Sequence, residues 1–124
     1  MAALKIEPTV DTPGVILSPE ENHFEISGKS YPEDTKEFYG PVLEWMDSYI
    51  ATASTETVFI FKLKYFNSSS YKPIFDIINK LVSLKNKGVS VKIEWHYKTG
   101  DTDMLDSGEE FAGLVDIPFS YHTF

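Results

Sequence analysis

The feature that most constrains this chain is the run from Thr57 to Tyr97, where a strand pattern, a helical pattern and a second strand pattern follow with almost no loop. Thr57 to Phe66 mixes β-branched and aromatic residues, with lysines on one face near its end, as an internal strand does. From Ser70 onward Ile74, Ile77, Ile78, Leu81, Val82 and Leu84 recur at helical intervals, and Lys85, Lys87 and Gly88 close the helix. Pro73 falls in its first turns, where a proline breaks no intrahelical bond. Val89 to Tyr97 then alternates apolar and polar residues. A strand, helix and strand of these lengths demand a parallel pair joined by a right-handed crossover, so the rest of the chain must be built around a parallel sheet.

The flanking segments fit that frame. Val15-Ile16-Leu17 and His23-Phe24-Glu25-Ile26 enclose the turn-forming Ser18-Pro19-Glu20-Glu21-Asn22 and predict a hairpin. Ser30 and Glu33 have capping-box spacing with Pro32 in the first turn, and Phe38, Val42, Trp45, Met46 and Tyr49 predict a helix as far as about Ala51. Gly40-Pro41 predicts a kink there, or two short helices, because proline removes an intrahelical bond and crowds the preceding turn. Asp101 to Phe124 reads as an acidic loop or short helix followed by the apolar Ile117-Pro118-Phe119. The expected fold class is α/β: one domain over residues 1–124, with a mixed sheet of four or five strands and helices packed mainly on one face.

Composition narrows the function classes. With 42% hydrophobic and 15% aromatic residues among 124, the chain can bury a core without staples. No cysteine is present, which removes disulfides, thiolate metal sites and cysteine nucleophiles. Eleven basic residues, all lysine, stand against 19 acidic ones for a net charge of −8. Without arginine the bidentate clamps that read phosphates and guanine edges are missing, so nucleic-acid binding is not expected, and an acidic surface suits a basic partner. No apolar run has the length of a membrane span and the N-terminus carries no h-region; the expectation is a soluble cytoplasmic protein with no membrane partner.

Catalytic signals are thin. His23, His96 and His122 lie far apart and form no His-x-x-x-His pair, so the sequence gives no metal site and structural histidines are expected. Asp101, Asp103 and Asp106 with Glu109 and Glu110 resemble a calcium loop only superficially. In an EF-hand register from Asp101, Leu105 and Asp106 stand where an oxygen ligand and a glycine belong. There is neither a glycine-rich phosphate loop nor a Gly-x-Ser-x-Gly elbow. No enzymatic activity and no cofactor are expected.

One segment invites more than a structural reading. The strand pattern ending at Tyr65-Phe66 stops abruptly in Asn67-Ser68-Ser69-Ser70, and the helical pattern begins at once. Asn and Ser are ordinary N-cap residues, and on these residues alone a plain cap is the favoured account. The same position, however, has free backbone N–H groups and the positive end of a helix dipole, which favour an anion placed on a serine there.

Ser30-Tyr31-Pro32-Glu33, Phe38-Tyr39-Gly40-Pro41-Val42-Leu43-Glu44-Trp45, Tyr65 to Ser70, Trp95-His96-Tyr97, and Asp103-Met104-Leu105 through Ile117-Pro118-Phe119 together resemble the SiaC family of bacterial regulatory phosphoproteins, over nearly the whole chain. The resemblance implies a fold and logic like the STAS-type anti-sigma factor antagonists. It implies a dedicated Ser/Thr kinase that phosphorylates the hydroxyl residue after the Asn of the strand-to-helix turn, and a PP2C-type phosphatase that reverses it. The unmodified form is then implied to bind and activate an output partner such as a diguanylate cyclase. Carried over, the acceptor is Ser68, where the family more often has threonine; Ser69 and Ser70 are competing hydroxyls. Asn67, Ser69, Ser70, Tyr71, Lys72 and Phe75 are the expected partner contacts, with Phe75 equally suited to the core. Two other readings stay open: an antagonist that captures an anti-sigma kinase, and a small-ligand carrier or unrecognised enzyme with a closed pocket lined by Trp95, His96 and Tyr97.

Overall fold

The computed structural model describes residues 1–124. Six strands form one sheet in the order β1 (Leu4–Ile6), β2 (Gly14–Ser18), β3 (His23–Ser30), β4 (Thr57–Phe66), β5 (Val91–Tyr97) and β6 (Phe119–Thr123). The first three pair antiparallel, with Leu17 opposite Phe24 in the expected hairpin. From β3 onward every pair is parallel, and α1 (Thr35–Thr52), α2 (Ser68–Asn86) and α3 (Thr102–Leu114) make the three crossovers. Because the strand order advances in one direction and such crossovers are right-handed, all three helices cover the same face. The sheet is mixed and the helices lie on one side, as expected, but there are six strands rather than four or five.

The two additional strands lie at opposite edges. β1 is only three residues long, and β6 lies in the segment read as an apolar end, where its Ser, His and Thr residues weaken the strand pattern.

The covered face carries the core. Val15, Leu17, Phe24, Ile26, Phe59, Phe61, Ile93 and Trp95 alternate along their strands and are sealed by Val42 and Met46 of α1 and by Ile74, Ile77, Ile78 and Leu81 of α2. The opposite face is left to partly exposed residues, among them Glu25, Ile60, Lys62, Glu94 and His96.

Two local expectations are corrected. α1 is one continuous helix through Pro41, so the expected pair of short helices does not form; the missing proline N–H would have bonded the carbonyl of Glu37. Both residues are on the exposed side of the helix, where water can satisfy that carbonyl. Nor does Ser30 cap α1: Asp34 does, accepting from Glu37 N at 3.1 Å. Ser30 is instead the last residue of β3, opposite Phe66, and is fully buried. The register shifts between Gly28, which adopts φ 101°, and Lys29, where β4 carries the extra residue Lys64, so that Lys29 faces Tyr65 and Ser30 faces Phe66.

Candidate functional site: the turn between β4 and α2

The parallel strands deliver their C-terminal ends to one edge of the molecule, and the β4 to α2 turn lies there. β4 stops because Asn67 leaves the ladder to cap the next helix, its own N–H still donating to Ser30 O at 3.0 Å. Asn67 has extended backbone angles (φ −80°, ψ 170°), as an N-cap residue requires, and its Oδ1 accepts from Ser70 N at 3.0 Å. The helix therefore begins at Ser68, two residues earlier than its apolar periodicity reveals.

The three serines have different environments. Ser70 is fully buried: its hydroxyl lies 2.6 Å from Asn67 Oδ1 and 2.8 Å from Ser30 Oγ, which in turn meets the phenol of Tyr39 at 2.6 Å. This chain of hydroxyls joins the ends of β3 and β4 to α1 and α2, and burial pushes the Tyr39 phenol up to about 12 despite the opposing Ser30 hydrogen bond. Ser69 is exposed, but its hydroxyl donates to Asn67 Oδ1 at 3.1 Å. Ser68 is exposed, opens the helix, and its hydroxyl bonds no protein atom. One acceptor oxygen on Asn67 thus engages two of the three hydroxyls and leaves Ser68 free.

The other predicted contacts separate likewise. Lys72 is exposed one turn beyond Ser68 and pairs with Asp76 at 2.9 Å. Tyr71 is half-buried, stacked on Phe111 of α3 at 4.8 Å and donating to Glu110 at 3.2 Å; burial first, then the Glu110 carboxylate, raises its phenol. Phe75 also stacks on Phe111, at 6.2 Å, and is only partly buried. Tyr71, Lys72 and Phe75 therefore lie on or beside one surface with Ser68 and Ser69, whereas Ser70 is removed from it by burial. Sequence reasoning missed Tyr31 and Tyr65, an exposed pair stacked at 5.9 Å where β3 and β4 end. Their pairing follows the register shift at Lys64, which no sequence period announces.

The closed pocket of Trp95, His96 and Tyr97 does not form. Strand alternation sends Trp95 into the core, its indole donating to Met104 O at 2.9 Å, and His96 to the opposite face.

Comparison with known proteins decides the family. The model of the SiaC family of regulatory phosphoproteins matches residues 6–124. This chain belongs to the SiaC family. It is 29% identical over 120 residues to a protein of Pseudomonas aeruginosa strain UCBPP-PA14 described as uncharacterized, covering 97% of this chain and 95% of that one. Among solved structures it resembles apo-SiaC from Pseudomonas aeruginosa with a TM-score of 0.91 at 28% identity, over 99% of this chain and 100% of that one. It matches equally well, at a TM-score of 0.91 and 28% identity over 98% of this chain and 99% of the other, a structure of SiaC as the activator in complex with the diguanylate cyclase SiaD. No helix of the present structure is long and apolar enough to cross a membrane.

Proposed function

We propose that this SiaC-family chain is a phosphoswitch: a cognate Ser/Thr kinase phosphorylates Ser68, a PP2C-type phosphatase removes the phosphate, and the unmodified form binds and activates a diguanylate cyclase. The chain acts by contact, not by catalysis of its own. The observation that carries this reading is the state of Ser68, the one hydroxyl at the turn that is both exposed and unengaged, at the first position of a 19-residue helix. Transfer of the ATP γ-phosphoryl group to its Oγ adds nearly two negative charges where backbone N–H groups and the helix dipole favour them.

The output follows from where that charge sits. The rim formed by Ser68, Ser69, Lys72 and the Tyr31–Tyr65 pair is accessible and includes aromatic surface that an unmodified partner interface can cover. A hydrated dianion at its centre opposes such burial, so phosphorylation releases the partner.

The test is calorimetric titration of a cognate diguanylate cyclase with unmodified, kinase-treated, Ser68→Ala and Ser68→Asp proteins. Unmodified and Ser68→Ala proteins are expected to bind alike, kinase-treated protein at least tenfold more weakly, and Ser68→Asp in between because a carboxylate carries less charge than phosphate. Equal affinity of the modified and unmodified forms overturns the switch. Phosphopeptide mapping that places the label on Ser69 overturns the choice of atom.

A further inference from the structure

On the uncovered face of the sheet, far in sequence from the turn, the fold assembles a cluster of three potential ligands. His96 of β5 stands directly opposite His122 of β6 in the parallel register, and Glu94, two residues earlier, projects from the same face. The two imidazoles stack with centroids 4.7 Å apart and planes 22° from parallel. Glu94 Oε1 lies 2.9 Å from His96 Nε2, and Ser120 Oγ lies 2.8 Å from His122 Nε2. One ligand atom from each of Glu94, His96 and His122 falls within 4.8 Å of the other two.

We propose that Glu94, His96 and His122 form a zinc-class transition-metal site that clamps the edge strand β6 to β5. Two imidazoles and one carboxylate are a three-ligand set that Zn²⁺ accepts, with water in the fourth position. The same donors are poorly matched to Ca²⁺ or Mg²⁺, which favour oxygen ligands throughout.

The distances are within reach of closure. Ligand atoms about 2.0–2.2 Å from a tetrahedral ion are separated by roughly 3.4 Å. The Glu94–His96 pair, at 2.9 Å, has to open slightly as the ion takes the place of the shared proton. The widest separation in the group, at most 4.8 Å, closes by side-chain rotation. That movement repacks no core, because His122 is exposed and Glu94 and His96 are only partly buried. Two lysines on this face repel a cation: Lys92, two residues before Glu94 on β5, and Lys62, opposite His96 on β4, whose Nζ lies over the Phe124 ring at 5.1 Å. A net charge of −8 further favours cation approach. The Ser120 hydroxyl orients the exposed imidazole through Nε2: it stays as an outer support where Nδ1 takes the ion, and gives way to the metal–nitrogen bond where Nε2 does.

The test is calorimetric titration of the tag-free full chain with ZnCl₂, alongside thermal unfolding with and without the metal. One zinc per chain with a dissociation constant in the micromolar range or tighter, and a raised Tm, are expected. His122→Asn and His96→Asn should each weaken binding about tenfold or more. His23→Asn, whose imidazole pairs with Glu25 outside the cluster, should leave binding unchanged. MgCl₂ and CaCl₂ should give no saturable heat. If His96→Asn perturbs folding, as judged by circular dichroism, His122→Asn on the exposed edge strand carries the decision. No saturable zinc binding below about millimolar, or binding that survives His122→Asn intact, overturns the proposal, as does equal loss with His23→Asn.

Discussion

The side-chain oxygen of Asn67 lies 2.6 Å from the hydroxyl of Ser70 and 3.0 Å from its backbone nitrogen. One residue therefore starts α2 and holds a competing hydroxyl inside the protein. The geometry that satisfies the first free N–H groups also determines which serine hydroxyl remains exposed and unbonded.

Asn67 and Ser68 should consequently differ in their contributions to stability. Asn67→Ala removes the cap and leaves the buried Ser70 hydroxyl without one of its partners, at a cost of about 1–2 kcal/mol. Ser68→Ala should cost less than about 1 kcal/mol because its exposed hydroxyl bonds no protein atom. Urea unfolding of the two variants checks the order. Global unfolding of Ser68→Ala would show a structural serine instead of a switch.

Where apolar period and local chemistry agree, the fold is legible without coordinates. Thr57–Phe66, the helix after it and Val91–Tyr97 alternate or repeat strongly enough to fix a parallel unit, and Val15-Leu17 with Phe24-Ile26 fix the hairpin. What escapes depends on partners distant in sequence. Ser30 has the spacing of a cap, but pairing with Phe66 keeps it in the strand, and only the fold places it beside Tyr39 and Ser70. After Asp101 the acidic sequence leaves a loop or a short helix open: α3 is that helix, formed where Trp95 offers a surface to cover, whereas β6 emerges only once β5 offers an edge. At the site, Asn67 followed by serines marked the turn. The difference among those serines is one of burial, which local sequence does not encode, and the pairing of His96 with His122 likewise awaits the strand register.

Gly108 illustrates such a long-range requirement. It is buried in α3, and a Cβ at this position would come within 2.6 Å of Trp95 Nε1. The indole cannot retreat easily, since it donates to Met104 O and packs against Phe61 and Phe111. Gly108→Ala should therefore destabilise by about 1–3 kcal/mol despite alanine's better helix propensity. Gly113→Ala, with open space around the position, provides the control and should be neutral or stabilising. Thermal unfolding of the pair, with Trp fluorescence reporting on the Trp95 environment, makes the comparison.

Alkaline pH should loosen the hydroxyl network. The Tyr39 phenol titrates near 12 in the folded chain against an ordinary 10, so the unfolded chain binds fewer protons between those values. Stability is therefore fully present below about pH 10 and falls as pH rises towards 12, by roughly 3 kcal/mol for a two-unit shift. Tyr39→Phe eliminates this titration and should flatten the stability curve in that window. At pH 7 it should cost about 1 kcal/mol through the lost hydrogen bond to Ser30. Chemical denaturation of both proteins from pH 8 to 11.5 measures both effects; parallel curves would contradict the assignment.

Phosphate at Ser68 should itself report on the helix start. The second ionisation of a phosphoserine, ordinarily near pH 6, is lowered where positive charge favours the dianion. Ser68 supplies such a place through the dipole of α2 and through Lys72, four residues on and 82% exposed at its side chain. Lys72 is paired with Asp76 in the unmodified chain, and a dianion at Ser68 competes for the same ammonium. Phosphorus NMR titration of the phosphorylated chain should therefore give a midpoint below that of a phosphoserine peptide. Lys72→Ala should move it upward and Asp76→Asn downward, since removing the competing carboxylate releases the lysine. These shifts should shrink as salt is raised, because the groups are at the surface. A midpoint equal to the peptide's and indifferent to both substitutions would mean that the phosphate turns away from the helix, leaving repulsion of a partner as the sole basis of the proposed switch.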